Sequence, residues 1–394
     1  MRRPLRRLAL LALAVALGLG ITSRRPALGD PTPATSPARA AWTPAQTRAV
    51  MIGVLEWKNP GLGSFPKPGR VDRVLERTFL ARGVPAANVT FLEDRAATRA
   101  ACLQAIAATA AAAAPGETLI VYYAGHGLRE KGATYFAPYD ADTQATSATA
   151  LGVTEIGATI RGAWKGGRLL LFADCCHSGS LAEIVAGEEG VRGVAAACLT
   201  SSDATSKSTG RWTFTESLVS AFGGNGAADA DRDDAVDFGE ADAFVHREMR
   251  YREAQWVRAA KTSSFPSDLV LGAVDPSRRR PARVEGPRQP LDYGEVAWKG
   301  TWWKAQIVGM RAEGLAIHYL GFPASDDEVV APDRFRPLPP IGYTNGTNVE
   351  TESDGTWWRS TVVGTDVEFT RVHFDGWSAA DDEWVPSSRV RRPR

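Results

Sequence analysis

From Arg48 onward the chain alternates short apolar runs with amphipathic or alanine-rich stretches, and this alternation constrains the fold more than any other feature. A continuous apolar run suits a strand buried on both faces of a sheet, and the amphipathic stretch after it suits a helix covering one face. Repeated along the chain, the pattern predicts an α/β domain with a mostly parallel sheet flanked by helices. Strands are expected at residues 49–54, 89–92, 118–123, 169–173, 194–199 and 269–271. Helices are expected at 71–82, 98–114, 154–164, 181–186, 213–222 and 239–253. Residues 105–114 are nearly all alanine, so helicity there rests on propensity rather than on a broad core face.

With 394 residues, 44% of them hydrophobic and 23% charged, the chain has material for two or three cores, and disorder is not expected. A net charge of +1 offers no large field to DNA, RNA or an acidic membrane, so nucleic acid is not an expected partner. The four cysteines, Cys102, Cys175, Cys176 and Cys198, form no C-x-x-C pair and lack the density of a disulfide scaffold. The five histidines do not cluster around them, so zinc is not expected either.

Residues 1–29 read as an export signal, with a basic start, an apolar run from Leu8 to Ile21 and Ala27-Leu28-Gly29 as a small-residue cleavage site. The apolar run is too short to span a bilayer comfortably, so no integral membrane span is expected, although a retained anchor is the competing interpretation. The expected location is outside the cytoplasm, secreted or in the cell envelope. Residues 30–47 form a flexible spacer rich in Pro, Thr, Ser and Ala.

The α/β domain is assigned to 48–274, and a Pro- and Arg-rich linker to 275–290. Behind it lies a duplication, 291–337 and 347–391. Gly300-Thr301-Trp302-Trp303 recurs as Gly355-Thr356-Trp357-Trp358, and Asp326-Asp327-Glu328 recurs as Asp381-Asp382-Glu383, at the same offset. Each copy carries short alternating strands joined by Gly- and Asp-bearing turns, which predicts two small SH3-like β-barrels.

Two segments carry chemistry. The strand at 118–123 runs into Gly125-His126-Gly127, and the strand at 169–173 runs into Asp174-Cys175-Cys176-His177-Ser178-Gly179. In an open parallel sheet, groups at the carboxyl ends of neighbouring strands face one crevice, so a thiol and an imidazole placed there can meet. An imidazole beside a thiol favours the attacking thiolate and later returns the proton to the leaving amine. Alone, each residue would be ordinary: a small buried Cys, or a turn His. Together, flanked by glycines that free the backbone, they predict catalysis by His126 and a cysteine.

Tyr122-Tyr123-Ala124-Gly125-His126-Gly127 and Asp174-Cys175-Cys176-His177-Ser178-Gly179 resemble the paired Y-Y-S-G-H-G and D-x-C-H-S-G blocks of metacaspases, caspase-like peptidases of clan CD. The resemblance spans Arg48 to Val274 and makes Cys176 the nucleophile, with Cys175 at the variable position. It implies that the backbone N–H groups of Gly127 and Cys176 hold the oxyanion. It also implies cleavage after Arg or Lys, through Asp174 and a second carboxylate matching Asp72. Ala124 departs from the usual Ser. Asp174 also returns to the side of Cys176 by strand alternation, where it could pair with a basic P1 residue, or it could cap a turn. Asp72 could equally be a helix N-terminal charge. Asp203, in the Ser201-Ser202-Asp203 block, is either a pocket residue or a solvated loop residue. The exposed stretch Glu188–Gly193 offers an Arg bond for self-cleavage.

Asp229, Asp231, Asp233, Asp237 and Glu240 reproduce acidic positions of a twelve-residue EF-hand loop, with Asp234 where that loop expects Gly. Calcium is the cation such a loop would take, in a structural role. An acidic surface loop is the alternative, and the peptidase chemistry itself requires no cofactor.

The duplicated tail resembles Tudor or agenet modules. Trp298, Trp303 and Tyr319 in one copy, and Trp358, Phe374, Trp377 and Trp384 in the other, would either wall a peptide site or fill small cores. The expected function is a cysteine-type endopeptidase acting on proteins or peptides with basic P1 residues, its tail binding a target. The alternative is a non-catalytic caspase-like scaffold. A thiol oxidoreductase using Cys175 and Cys176 is disfavoured, because adjacent cysteines close a strained ring.

Overall fold

The computed structural model describes residues 39–187, 191, 193–204, 206–284, 286–338, 342–353, 355–366 and 369–393. The expected export signal, most of the spacer, and residues 188–190 and 192 of the Arg-bearing stretch lie outside the described residues.

Six strands make the central sheet: β1 (Thr47–Gly53), β2 (Val89–Glu93), β3 (Thr118–Ala124), β4 (Arg168–Asp174), β5 (Ala195–Thr200) and β6 (Ala259–Lys261). Their order is β6-β5-β4-β3-β1-β2, parallel throughout except for β6, which runs antiparallel to β5. β3 is buried along its whole length, as its unbroken apolar run requires. Successive side chains go to opposite faces. Ile52 and Val121 pack with Ile106 of α2 (Arg99–Ala112) and Ile156 of α3 (Val153–Ala163). Met51 and Tyr122 pack on the other face with Phe79 of α1 (Asp72–Ala81), Phe222 of α4 (Thr213–Phe222) and Phe244 of α5 (Phe238–Glu253). The result is a three-layer α/β fold with a mixed sheet.

Two elements differ from the periodicity. The run near Leu269 does not join the main sheet. Val270–Ala273 pairs instead with Ala235–Asp237 in a separate two-stranded sheet, and the edge position goes to Ala259–Lys261. A hairpin, Gly127–Glu130 with Ala133–Phe136, also follows β3 directly. Both departures involve strands of three or four residues, too short to show an alternation.

Each repeat is a five-stranded antiparallel sheet. The first uses Tyr293–Trp298, Thr301–Arg311, Gly314–Tyr319, Glu328–Val330 and Phe335–Pro337. The second uses Asn348–Ser353, Thr356–Asp366, Phe369–Phe374, Glu383–Pro386 and Val390–Arg391. A bulge recurs at Ile307/Gly309 and Val362/Gly364, so the duplication extends to local geometry. Among the described residues the edge strands of each sheet are not hydrogen-bonded to each other, so no strand ladder closes a barrel. The cores are mostly aliphatic, while Trp298, Trp302, Trp358 and Trp377 are exposed.

Both repeats dock on α5 and the segment after it. Tyr293 stacks on Tyr251 with centroids 4.6 Å apart, and its hydroxyl donates to Glu248 at 2.8 Å. Trp384 stacks on Trp256 at 4.4 Å, and Arg250 pairs with Asp366 at 2.6 Å. Trp384 thus docks the second repeat and also lines a cavity together with Trp358, Phe374 and Trp377.

Candidate active site

Gly53, Ala124 and Asp174 lie level at the ends of β1, β3 and β4. The two residues beyond Ala124 and Asp174 bring His126 and Cys176 to the same edge, where a crevice opens. Their loops touch: a Cβ added at Gly127 would overlap the Cys176 carbonyl oxygen, so only glycine permits this approach.

The two motif tyrosines take opposite faces and different tasks. Tyr123 donates its hydroxyl to the backbone oxygens of His126 and Ala137, each at 2.9 Å, which fixes the histidine turn. The Tyr122 hydroxyl meets the Thr215 hydroxyl at 2.7 Å, and Thr215 donates to Asp174 at 2.6 Å. The cysteine turn is held by Ser201 and Ser202, both fully buried. The Cys175 N–H donates to the Ser201 hydroxyl at 3.0 Å, and the Ser202 hydroxyl donates to the Cys175 carbonyl at 3.0 Å.

His126 packs against Trp57 and Phe65, with ring centroids 4.3 and 4.6 Å away. Its Nε2 is 2.7 Å from the Gly63 carbonyl oxygen. A carbonyl only accepts, so Nε2 carries the hydrogen and the neutral ring leaves Nδ1 as the basic nitrogen. The carbonyl thus orients the base, as the third member of a catalytic triad does. Cys176 Sγ accepts a bond from the Ser208 N–H at 3.1 Å. Burial pushes its thiol up, while the Ser208 backbone contact pulls it down. Among the described residues no hydrogen bond joins His126 to Cys176; each is held by a separate loop. Cys175 is buried, and burial raises its thiol well above the ordinary value, which disfavours its thiolate.

A cavity of about 590 Å³ opens over this edge, walled in part by His126, Cys176, Asp174, Trp212, Glu253 and Phe322. Asp174 is only 8% exposed. Burial raises its carboxyl to about 7, against the hydrogen bond from Thr215.

The other expected pocket carboxylates lie elsewhere. Asp72 is fully buried against the end of β1, and Arg70 binds it at 2.6 Å while also pairing with Glu93 at 2.7 Å. It does not line the cavity. With Asp94, which accepts from Leu55 N–H at 2.8 Å, this ion cluster anchors the loop carrying Trp57, Gly63 and Phe65. Asp203 accepts from Ala204 N–H at 2.7 Å and caps its own turn, also away from the cavity. Glu253, which no motif marked, does line it. The end of α5 places it there, bonded by the Thr213 hydroxyl and by Thr209 at 2.9 Å.

In the acidic loop, Asp229, Asp231 and Asp233 each offer an oxygen within 4.8 Å of the others. Asp234 adopts φ 65°, the left-handed conformation for which the loop normally uses Gly. Asp237 and Glu240 form a capping box on α5, and Glu240 reaches back to Ala230 N–H at 2.7 Å. Arg39 pairs with Asp233 and Asp237. The all-oxygen donor set suits calcium, which would take the place of the Arg39 guanidinium at Asp233.

A model of the caspase domain matches residues 73–364. The chain belongs to the caspase-domain family. A caspase domain is of the cysteine peptidase kind. Among solved structures, the caspase-1 crystal structure from Spodoptera frugiperda is 16% identical, covers 63% of this chain and 98% of that one, and has a TM-score of 0.41. A Geobacter sulfurreducens protein solved as a structural-genomics target is 17% identical, covers 60% and 97%, and has a TM-score of 0.39. The tandem agenet domain 3-4 structure of ADCP1 is 19% identical over 26% of this chain and 78% of that one, with a TM-score of 0.13. No curated protein matches.

Proposed function

We propose that this caspase-domain chain is an exported cysteine endopeptidase that cleaves polypeptides after Arg or Lys, with Cys176 as nucleophile and His126 Nδ1 as base. The supporting observation is Asp174, which lines the same cavity as His126 and Cys176 and there lacks any basic partner among its hydrogen bonds. A guanidinium or ammonium entering beside it would restore its ionised form. Glu253 in the same wall is a second carboxylate, with the Arg211 guanidinium 4.0 Å away. Asp72 supports this reading only indirectly, through the anchored loop.

The test uses purified chain and fluorogenic peptides ending in Arg, Lys, citrulline or Asp. Turnover after Arg or Lys should disappear in Cys176→Ala and persist in Cys175→Ala. Cleavage surviving Cys176→Ala overturns the nucleophile, and preference for Asp overturns the pocket.

Within the same proposal, Asp229, Asp231 and Asp233 bind calcium and brace the start of α5, with Asp237 and Glu240 as the further loop carboxylates. Calcium should raise the melting temperature of the full chain, and Asp231→Ala should remove that rise. An unchanged melting curve with saturating calcium refutes the site. The two repeats complete the proposal as Tudor- or agenet-like modules that contact polypeptide.

A further inference from the structure

The cavity holding His126 and Cys176 is not walled by the three-layer α/β fold alone. His318 near the end of strand Gly314–Tyr319 of the first repeat, and Leu320, Gly321 and Phe322 from the turn after it, line the cavity together with His126 and Cys176. This turn is built rigidly. Gly321 has φ 86°, Phe322 N–H donates to the Tyr319 carbonyl at 3.2 Å, and Leu320 N–H donates to the Lys304 carbonyl at 2.9 Å. The Phe322 ring is 42% exposed while it contacts Trp303 edge to face, with centroids 5.4 Å apart. The stacked Tyr293 and Tyr251 fix the repeat to α5, whose last residues, Arg252 and Glu253, line the same cavity.

The cavity walls therefore differ in chemistry. Asp174 supplies a carboxylate without a basic hydrogen-bond partner, Glu216 and Glu253 face Arg252 and Arg211 of the same wall at 3.1 and 4.0 Å, and Leu55, Phe65 and Pro66 supply apolar surface along with Leu320 and Phe322. A peptide placing a basic residue near Asp174 would present a neighbouring side chain to apolar surface. Burying a bulky apolar side chain there would remove it from water, which favours binding. The second repeat repeats the turn at Gly376 and Trp377 but lines a separate cavity, so this arrangement belongs to the first copy.

We propose that the Leu320–Phe322 turn of the first repeat is a substrate subsite, receiving a bulky apolar side chain of the polypeptide near the basic residue. The repeat is then part of the specificity apparatus rather than only a tether. This rests on the peptidase reading for its substrate, but its test does not require turnover.

Full-length Cys176→Ala protein is mixed with fluorescein-labelled peptides built on one central Arg, with Phe or Ala at each of the three positions on either side. Binding is read by anisotropy. At one position Phe should bind about tenfold more tightly than Ala, the discrimination that one apolar contact of this kind provides. Phe322→Ala should bring that ratio close to one, with an unchanged melting curve showing that the repeat still folds. A ratio unaffected by Phe322→Ala, or no Phe preference at any position, overturns the subsite. Turnover by the Cys176-bearing chain is read in parallel. Discrimination without cleavage sinks the peptidase reading and leaves the subsite standing, while cleavage without Phe322-dependent preference does the reverse. Failure of every peptide to bind overturns the subsite.

Discussion

Replacing Asp174 with Asn removes one negative charge from the cavity while keeping the shape and an acceptor for Thr215. Burial raises this carboxyl to about 7, so ionisation is incomplete near neutrality. The ionised fraction rises from about one tenth at pH 6 to about nine tenths at pH 8 for such a group. Only the ionised form attracts a cationic P1 residue, so the preference for Arg must grow as pH rises through 7. Citrulline has nearly the shape of Arg without the charge, so the Arg-to-citrulline ratio of kcat/KM cancels titration of Cys176 and His126. That ratio should climb about tenfold from pH 6 to pH 8 in the wild type, following the ionised fraction. In Asp174→Asn it should stay flat. At pH 8 it should lie about two orders of magnitude below the wild type, since breaking a buried charge pair costs about 3 kcal/mol or more. The assay is steady-state cleavage of matched fluorogenic peptides across that pH range. A flat wild-type ratio, or an equal slope in the variant, would refute the assignment of Asp174 to basic P1 selection.

The same carboxyl governs stability with the opposite sign. Its folded pKa lies above its ordinary value of 3.8, so the stabilising contribution is complete below that value and lost as pH rises through about 7. Asp174→Asn should therefore gain melting temperature relative to the wild type as pH is raised from 4 to 8. A gap that narrows instead would contradict the buried carboxyl. Gly127→Ala should lower kcat about a hundredfold, because the new methyl must displace the Cys176 backbone by a distance that matters to attack. Kinetics at saturating peptide would check this, and near-normal turnover would show that the two loops can separate freely.

Much of the site was legible because it depends on local pattern. The apolar runs of β3 and β4 fall where expected, and the chemistry-bearing residues follow their carboxyl ends. The adjacent thiols differ in burial: both border the cavity, but Cys175 is packed into the core beneath the turn, whereas Cys176 is only partly buried. The left-handed requirement of the acidic loop was also visible, and Asp234 meets it.

What the sequence by itself determined was the α/β alternation, the residues at the strand ends and the duplication of the tail, all written in short-range periodicity and spacing. Only the tertiary structure decided which partners those residues take. Asp72 had two readings at a helix start, and Arg70 resolves its position by holding it away from the cavity. The Gly63 carbonyl on His126 and the Ser208 N–H on Cys176 are backbone groups, which leave no side-chain signature. The Ser206 hydroxyl bonds Glu383 at 3.0 Å across a separation of 177 residues, and Phe322 reaches the cavity of His126 and Cys176 from the first repeat. Such contacts follow from docking on α5, and no local period encodes the packing of one folded surface on another.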